Sequence, residues 1–453
     1  MSGKSFAITS GCHNGDVPYS HPILIMKKAL LLVSLLCGVF ALHAQTTLDE
    51  IKENPLKAGG IYLAYPVTES ANTPAPKGYE PFYVSHYARH GSRYLIGDND
   101  YKWVMKLMER ADSANALTPL GKDVTVRLQK LWPMVERRGG DLSQLGARQH
   151  REIARRLYRA FPEAFPDNAE MTARSTVVMR CALSMCAFAE GLKEENPHLQ
   201  IPREASEKNM DYLNYHSPQS NYYTRRNGEW AEETRKFKED MTRSERLIPT
   251  LFSDSVFVHK NVNPGELMWG LYWIAVDMQD IESGIDLMDI FTPEELFNLW
   301  RSHNYSFYVT NSNHPLSNGL TIANARNLLR NILDSADDKV SRPDARGADL
   351  RFGHDGNLIP LAGILALENC HASEGDPYKL HEVYSDYKIA PMAGNVQIVF
   401  FRPKKSTDAT GSDVLVKFML NEREIAVDGL TTDAFPFYRW PDVKAFWQGI
   451  LAD

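Results

Sequence analysis

A chain of 453 residues with a formal net charge of -7 carries no extended positive field, which excludes a nucleic-acid binder running on bulk electrostatics. With 43% hydrophobic and 24% charged residues it is an ordinary globular protein, neither disordered nor low in complexity. An anionic ligand would therefore need its counter-charge gathered at one place.

Residues 1–25 show no periodic pattern and read as an upstream extension ahead of a start at Met26. Met26-Lys27-Lys28, the uncharged apolar run Ala29–Leu42 and the following His43-Ala44-Gln45 have the layout of a signal peptide over 26–44. The expectation is a periplasmic or secreted protein. The apolar run falls short of the ~20 residues a bilayer span needs, so no stable membrane span is expected once the signal is removed. Cys181, Cys186 and Cys370 remain downstream and read as buried apolar thiols. Cys181 and Cys186, five apart on a helix, point to different sides and should not bridge.

Residues 45–78 form a lead-in that ends in the Pro-rich stretch Ser70–Gly78. The aromatic and β-branched run Tyr79–His86 predicts a strand leading straight into Arg89-His90-Gly91-Ser92-Arg93. Helical periodicity follows over Tyr101–Ala116, Thr118–Arg138 and Ser143–Phe161, then a short strand at Glu170–Arg174 and a helix over Thr176–Leu192. Residues 79–192 make the first part of an α/β core. From 193 to 347 strands are hard to find, and amphipathic stretches such as Gly265–Glu282, Thr292–Asn304 and Ala323–Ala336 predict an inserted, mostly helical cap. Residues 348–453 return to the core. Asp349–Gly353 reads as a strand into His354-Asp355-Gly356-Asn357, Leu358–Glu368 as a helix, and Gln397–Arg402 and Val414–Leu420 as strands, with a turn at Asn421-Glu422. Alternating strands and helices at both ends predict an α/β fold with a largely parallel sheet flanked by helices. In such sheets ligands sit beyond the carboxyl ends of the strands. Both histidine segments follow a strand directly, so they are expected to meet.

The first segment sets two guanidiniums around one imidazole. Arginine binds phosphate oxygens in a planar, bidentate way, and neighbouring positive charge favours the neutral imidazole that a nucleophile must be. Gly91 would let an oxyanion approach the backbone closely. A solvated turn is the plain alternative. Arg180, in the apolar run Val177-Val178-Met179-Arg180-Cys181-Ala182-Leu183, either pairs with a carboxylate or serves as a third phosphate ligand. His354-Asp355 offers a hydrogen-bond donor beside an acid, the two groups ester cleavage needs, although Asp355 could equally cap the following helix. No segment has metal-ligand spacing such as His-Glu-x-x-His or paired Cys-x-x-Cys, so no metal is expected, and no other cofactor.

Together the Arg-His-Gly-x-Arg segment, the arginine at the head of a helix ending in Phe188-Ala189-Glu190-Gly191-Leu192, the late His-Asp and the tail Val414–Glu422 resemble the histidine acid phosphatases. These are the branch of the histidine phosphatase superfamily that includes phytases. The resemblance implies that His90 is transiently phosphorylated, that Arg89, Arg93, Arg180 and His354 hold the phosphoryl group, and that Asp355 donates the proton. It implies a small-molecule phosphate monoester as partner and no nucleic acid. Ser92-Arg93-Tyr94 is similar to the multiple inositol polyphosphate phosphatases of the family, which makes an inositol polyphosphate one candidate substrate. That subfamily carries its acid where this chain has Gly356. Arg225, Arg226, Lys236, Lys238, Arg243 and Arg246 are the basic residues that could serve extra phosphates, or be a solvated face. Two other readings are a phosphotransferase or mutase of the superfamily and a non-catalytic relative that binds phosphorylated ligands.

Overall fold

The computed structural model describes residues 46–66 and 72–452, so residues 1–25 and the signal segment read over 26–44 lie outside the described residues. Among the described residues eight strands form one mixed sheet: β1 (Tyr79–Arg89), β2 (Glu170–Ser175), β3 (Arg203–Ala205), β4 (Gly347–Gly353), β5 (Asn395–Pro403), β6 (Leu415–Leu420), β7 (Arg423–Glu424) and β8 (Phe437–Arg439). The order is β3-β2-β4-β1-β5-β6-β7, with β8 beside β6. The half that carries β1, β2, β3 and β4 is parallel, as the α/β reading expects. From β5 onward the pairing is antiparallel. The connections explain this: β5 and β6 are joined by a helix-free loop, and β6 and β7 by the two-residue turn Asn421-Glu422, both residues at positive φ. The edge strand β3 leaves no apolar signature because Arg203, Glu204 and Ala205 are all exposed and meet β2 through backbone pairing and the Glu204–Arg174 ion pair.

The main helices are α1 (Asp98–Ser113), α2 (Pro119–Val135), α3 (Gln144–Ala160), α4 (Met179–Glu195), α5 (Ala231–Met241), α6 (Pro264–Ile281), α7 (Pro293–Asn311), α8 (Arg326–Val340), α9 (Asp355–Ile364) and α10 (Trp440–Ala452). Their starts follow capping chemistry. The side chains of Thr118, Ser143 and Thr292 each accept a first-turn N–H, and Glu295 completes a capping box with Thr292. α4 begins three residues later than expected, since Thr176 N–H still donates to Phe352 O in the sheet. None of the described helices is long and apolar enough to cross a membrane.

Alternation along β1 divides the core. Val84 and Ala88 pack with α3 and α4 through Ile153, Leu157, Phe188 and Leu192. Tyr83 and Tyr87 face the other layer with α8, α9 and α10 through Leu329, Leu358 and Trp447. A further cluster joins α1 and α2 to α6 and α7, around Val104, Leu128, Leu271 and Trp300. Helices that precede β2 therefore share their core with helices of the 193–347 segment.

One close approach sets the loop after β1. A Cβ on Gly91 would overlap the backbone of Gly146, and a Cβ on Gly146 would overlap Ser92. The space at Gly91 is thus taken by the first turn of α3 and not left for a ligand, contrary to the reading from sequence. Ser143, which caps α3, ties the same loop down by donating to Ser92 O at 3.0 Å and to Asp280 O at 2.6 Å. Gly146→Ala is expected to destabilise the protein by roughly 1–3 kcal/mol through overpacking, read as a lower urea midpoint.

Candidate active site

The register that pairs Arg89 with Gly353 brings His90 and His354 out side by side at the carboxyl ends of β1 and β4. His90 N–H donates to Gly353 O at 3.0 Å, and the two imidazole centroids lie 5.7 Å apart, nearly perpendicular. On the far side of β4, Ser175 pairs with Phe352, so Thr176 and the first turn of α4 rise at the same edge. Segments far apart in the chain converge because parallel strands end together.

His90 is 2% exposed. Its Nδ1 lies 2.9 Å from Gly91 O. A carbonyl can only accept, so Nδ1 carries the hydrogen and Nε2 keeps its lone pair. Burial first, and then Arg89, Arg93 and Arg180, hold the imidazole well below its ordinary pKa. It is neutral across the physiological range.

Arg89 is fully buried, with Nη1 bound to Ile61 O and, at 2.8 Å, to Ala390 O. Its Nη2 lies 2.7 Å from Asp355 Oδ2 without hydrogen-bond alignment. Arg93 donates to Tyr94 O at 2.8 Å and to Tyr62 OH at 3.1 Å. Arg180 sits in the first turn of α4 and is half-buried; its apolar neighbours Val177 and Met179 are exposed, so it does not lie inside a buried apolar run. Each guanidinium keeps buried N–H groups that no described residue accepts: Nε and Nη2 of Arg89, and Nε of Arg93 and of Arg180. Buried donors without acceptors are rare in folded proteins. Others occur elsewhere, as at Nε of Arg326 and Arg402, but these four lie on the three guanidiniums whose charge acts on His90.

His354 precedes α9 as its N-cap residue, with Nε2 3.3 Å from Thr176 Oγ1 and the Cys181 thiol 3.7 Å away. Burial, joined by Arg180, Arg89 and Arg93, lowers its pKa to about 4 against the opposing pull of Asp355. Burial alone would raise the Asp355 carboxyl, but Arg89, His354, Arg93 and the Gly356 N–H at 2.8 Å outweigh it and hold it below the usual carboxylate value. Asp355 is therefore ionised while the site holds no anion. All six residues picked from the sequence meet here: His90, Asp355, Arg89, Arg93, Arg180 and His354.

Other parts were not singled out. Asp280 accepts from Ser92 Oγ at 2.5 Å, Asp277 accepts from Tyr101 OH at 2.5 Å, and both are fully buried on α6 beneath Arg93. Burial is the main cause that raises both carboxyls, and Asp277 adds its repulsion at Asp280. Two acids three apart in the apolar run Leu271–Met278 and beyond were the available signal, since unpaired acids are seldom fully buried. Tyr62, Ser184 and Gln149 left none: they bond Arg93, Gly91 N and Ser92 N only through tertiary contacts. Of the six basic candidates in the helical segment, Arg246 is tied to Glu295 and Ile290 O, Lys236 to Glu232, and Arg225 lies over Tyr222. Arg226 and Arg243 are exposed, and Lys238 lines a cavity beside Tyr62.

A neutral histidine ringed by arginines at the carboxyl ends of the parallel half of the sheet, with a carboxyl beside it, is an arrangement suited to holding an anion in an α/β protein. The chain belongs to the histidine phosphatase superfamily (branch 2), whose family model matches residues 84–421. The fold is similar to that of the Bifidobacterium longum multiple inositol polyphosphate phosphatase in complex with inositol hexasulfate, with a TM-score of 0.73, 19% identity and coverage of 86% of this chain and 97% of that one. It is also similar to the phytase from D. castellii, with a TM-score of 0.62, 17% identity and coverage of 88% and 86%. At these identities the likeness is one of fold. No curated protein matches the chain. Fold and family are those of phosphatases.

The buried acids set a pH dependence of stability. A carboxyl whose pKa is raised in the folded state binds a proton there that the unfolded chain gives up, so its stability contribution is full below the unfolded pKa and is lost as pH rises. Thermal unfolding followed from pH about 4 toward neutrality should show Asp277→Asn losing less stability than wild type over that window. Parallel curves would exclude a protonated Asp277.

Proposed function

We propose that the protein is an exported phosphomonoesterase working through a phosphohistidine at His90. The observation that carries this reading is the set of buried, unaccepted N–H groups on Arg89, Arg93 and Arg180 around a neutral imidazole with its Nε2 lone pair free. A phosphoryl group supplies the acceptors those donors lack. Phosphoryl transfer runs on positioning and charge stabilisation, which three guanidiniums and the His354 ring provide.

In this reading Nε2 attacks phosphorus as the ester P–O bond breaks, and the departing alkoxide takes the proton of Asp355. Water then attacks the phosphohistidine and Asp355 takes the proton back. The carboxyl is ionised beside the arginines, and a bound phosphate spends their charge and repels a carboxylate, which raises Asp355 into a range where it can hold the proton. The family and the neighbouring structures support a phosphatase; a mutase reading has no specific feature in its favour here. The basic start and apolar run at 26–44 support export.

Asp355→Asn should lower kcat on β-glycerophosphate, whose alkoxide needs the proton, by about 10²–10⁴-fold, with a smaller loss on p-nitrophenyl phosphate, and the wild-type optimum should lie on the acid side. His90→Ala should abolish turnover and the acid-labile phosphoenzyme trapped by rapid quench. Activity should survive EDTA. Full activity in His90→Ala, or loss of activity on chelation, would overturn the mechanism.

A further inference from the structure

A cavity of about 870 Å³ is linked to the site through Tyr62, which lines it and bonds Arg93, while none of the six site residues lines the cavity itself. The Tyr62 hydroxyl accepts from Arg93, whose guanidinium sits 4.8 Å over the Tyr62 ring. On the same side Trp273 meets His303 edge-on at 4.8 Å, and the His303 ring feels both Asp355 and Arg89. A group esterified to a phosphate between the arginines would therefore find this cavity next to it.

The wall is aromatic. Trp269 and Trp273, one turn apart on α6, lie 5.7 Å from each other at 34°, and Tyr62 and Trp103 continue the surface. Gly270 lets Trp103 lie against the helix, since a Cβ there would overlap its ring. The charge is nearly balanced. Arg235 is spent on Glu232 and Glu239, and Asp100 on the Gly97 N–H. Glu266 adds a negative charge to the lining. Lys238 makes no salt bridge among the described residues, feels the attraction of Glu266, and holds its ammonium 4.5 Å over the Trp269 ring. A ring carrying several phosphates needs several free cations, and this wall offers one.

We propose that this cavity is the leaving-group subsite, and that it takes a phosphate monoester of an aromatic alcohol with at most one further anionic group, held by Lys238. The claim rests on the phosphomonoesterase reading above and narrows its substrate class away from polyphosphorylated inositols. Aromatic rings stack on indole faces with a specific gain beyond area burial, and a cation on the rim adds one charge contact.

The test compares kcat/KM for phenyl phosphate, 4-carboxyphenyl phosphate, β-glycerophosphate and phytate. The aryl esters should lead, with the carboxylated one first and phytate last. Trp273→Ala should raise KM for the aryl esters by about tenfold, the size of a lost aromatic contact. Lys238→Gln should erase the advantage of 4-carboxyphenyl over phenyl phosphate. Should Trp273→Ala not fold, indole fluorescence of His90→Ala, titrated with 4-carboxyphenyl phosphate and with inorganic phosphate, should be quenched by the aryl ester alone. Phytate outrunning both aryl esters, an unchanged ratio in Lys238→Gln, or equal quenching by both ligands overturns the subsite while leaving the phosphatase intact. Failure to hydrolyse any of the four esters would instead sink the phosphatase reading.

Discussion

Everything at the site depends on keeping three guanidiniums together, largely out of water, around one imidazole. Like charges repel, and burial removes the solvent that would screen them. The cost is visible in Arg89 and Arg180, whose pKa values are lowered first by burial and then by their fellow arginines, though Asp355 opposes the shift at each. Backbone carbonyls of Ile61, Ala390 and Tyr94 hold Arg89 and Arg93 in place without cancelling their charge. A carbonyl supplies direction and a carboxylate would supply neutralisation. That choice leaves net positive charge for a ligand to meet.

The acids beneath the cluster follow the same logic. Asp277 and Asp280 come from α6, and their raised pKa values keep protons on the pair instead of two full negative charges. They position Ser92 and Tyr101 by hydrogen bonding and take little from the field above. Among the described residues Asp355 is the one carboxylate in direct contact with an arginine of the cage, and its contact with Arg89 is close in distance but not aligned as a hydrogen bond. Its partner can therefore change when an anion arrives.

The same helix serves two purposes. One face of α6 carries the acids toward the loop after β1, and Trp269 and Trp273 line the cavity beside Tyr62. The helical segment is thus fastened to the sheet through the residues that surround the phosphoryl site. A shift of α6 would change the aromatic wall and the loop together. The proposed leaving-group wall and the anchoring of the loop after β1 thus share one helix.

The sequence alone determined the strands and helices whose chemistry is local: the apolar run of β1, the caps at Thr118, Ser143 and Thr292, the turn at Asn421-Glu422, and the two histidine segments at strand ends. It also selected the six residues that meet at the site, because arginine beside histidine and histidine beside aspartate are legible as chemistry before any geometry is known. Tertiary structure decided what pairing and packing decide. The sheet turned antiparallel from β5 onward, β3 formed without an apolar run, and Gly91 proved to be a contact with Gly146. Tyr62, Gln149 and Ser184 acquired their roles from residues distant in the chain. Of the basic residues in the helical segment, folding placed Lys238 beside the site and committed Arg246 and Lys236 to carboxylates elsewhere. A charge in a sequence has no partner until the chain folds, and the partner decides whether that charge binds a ligand or holds the fold.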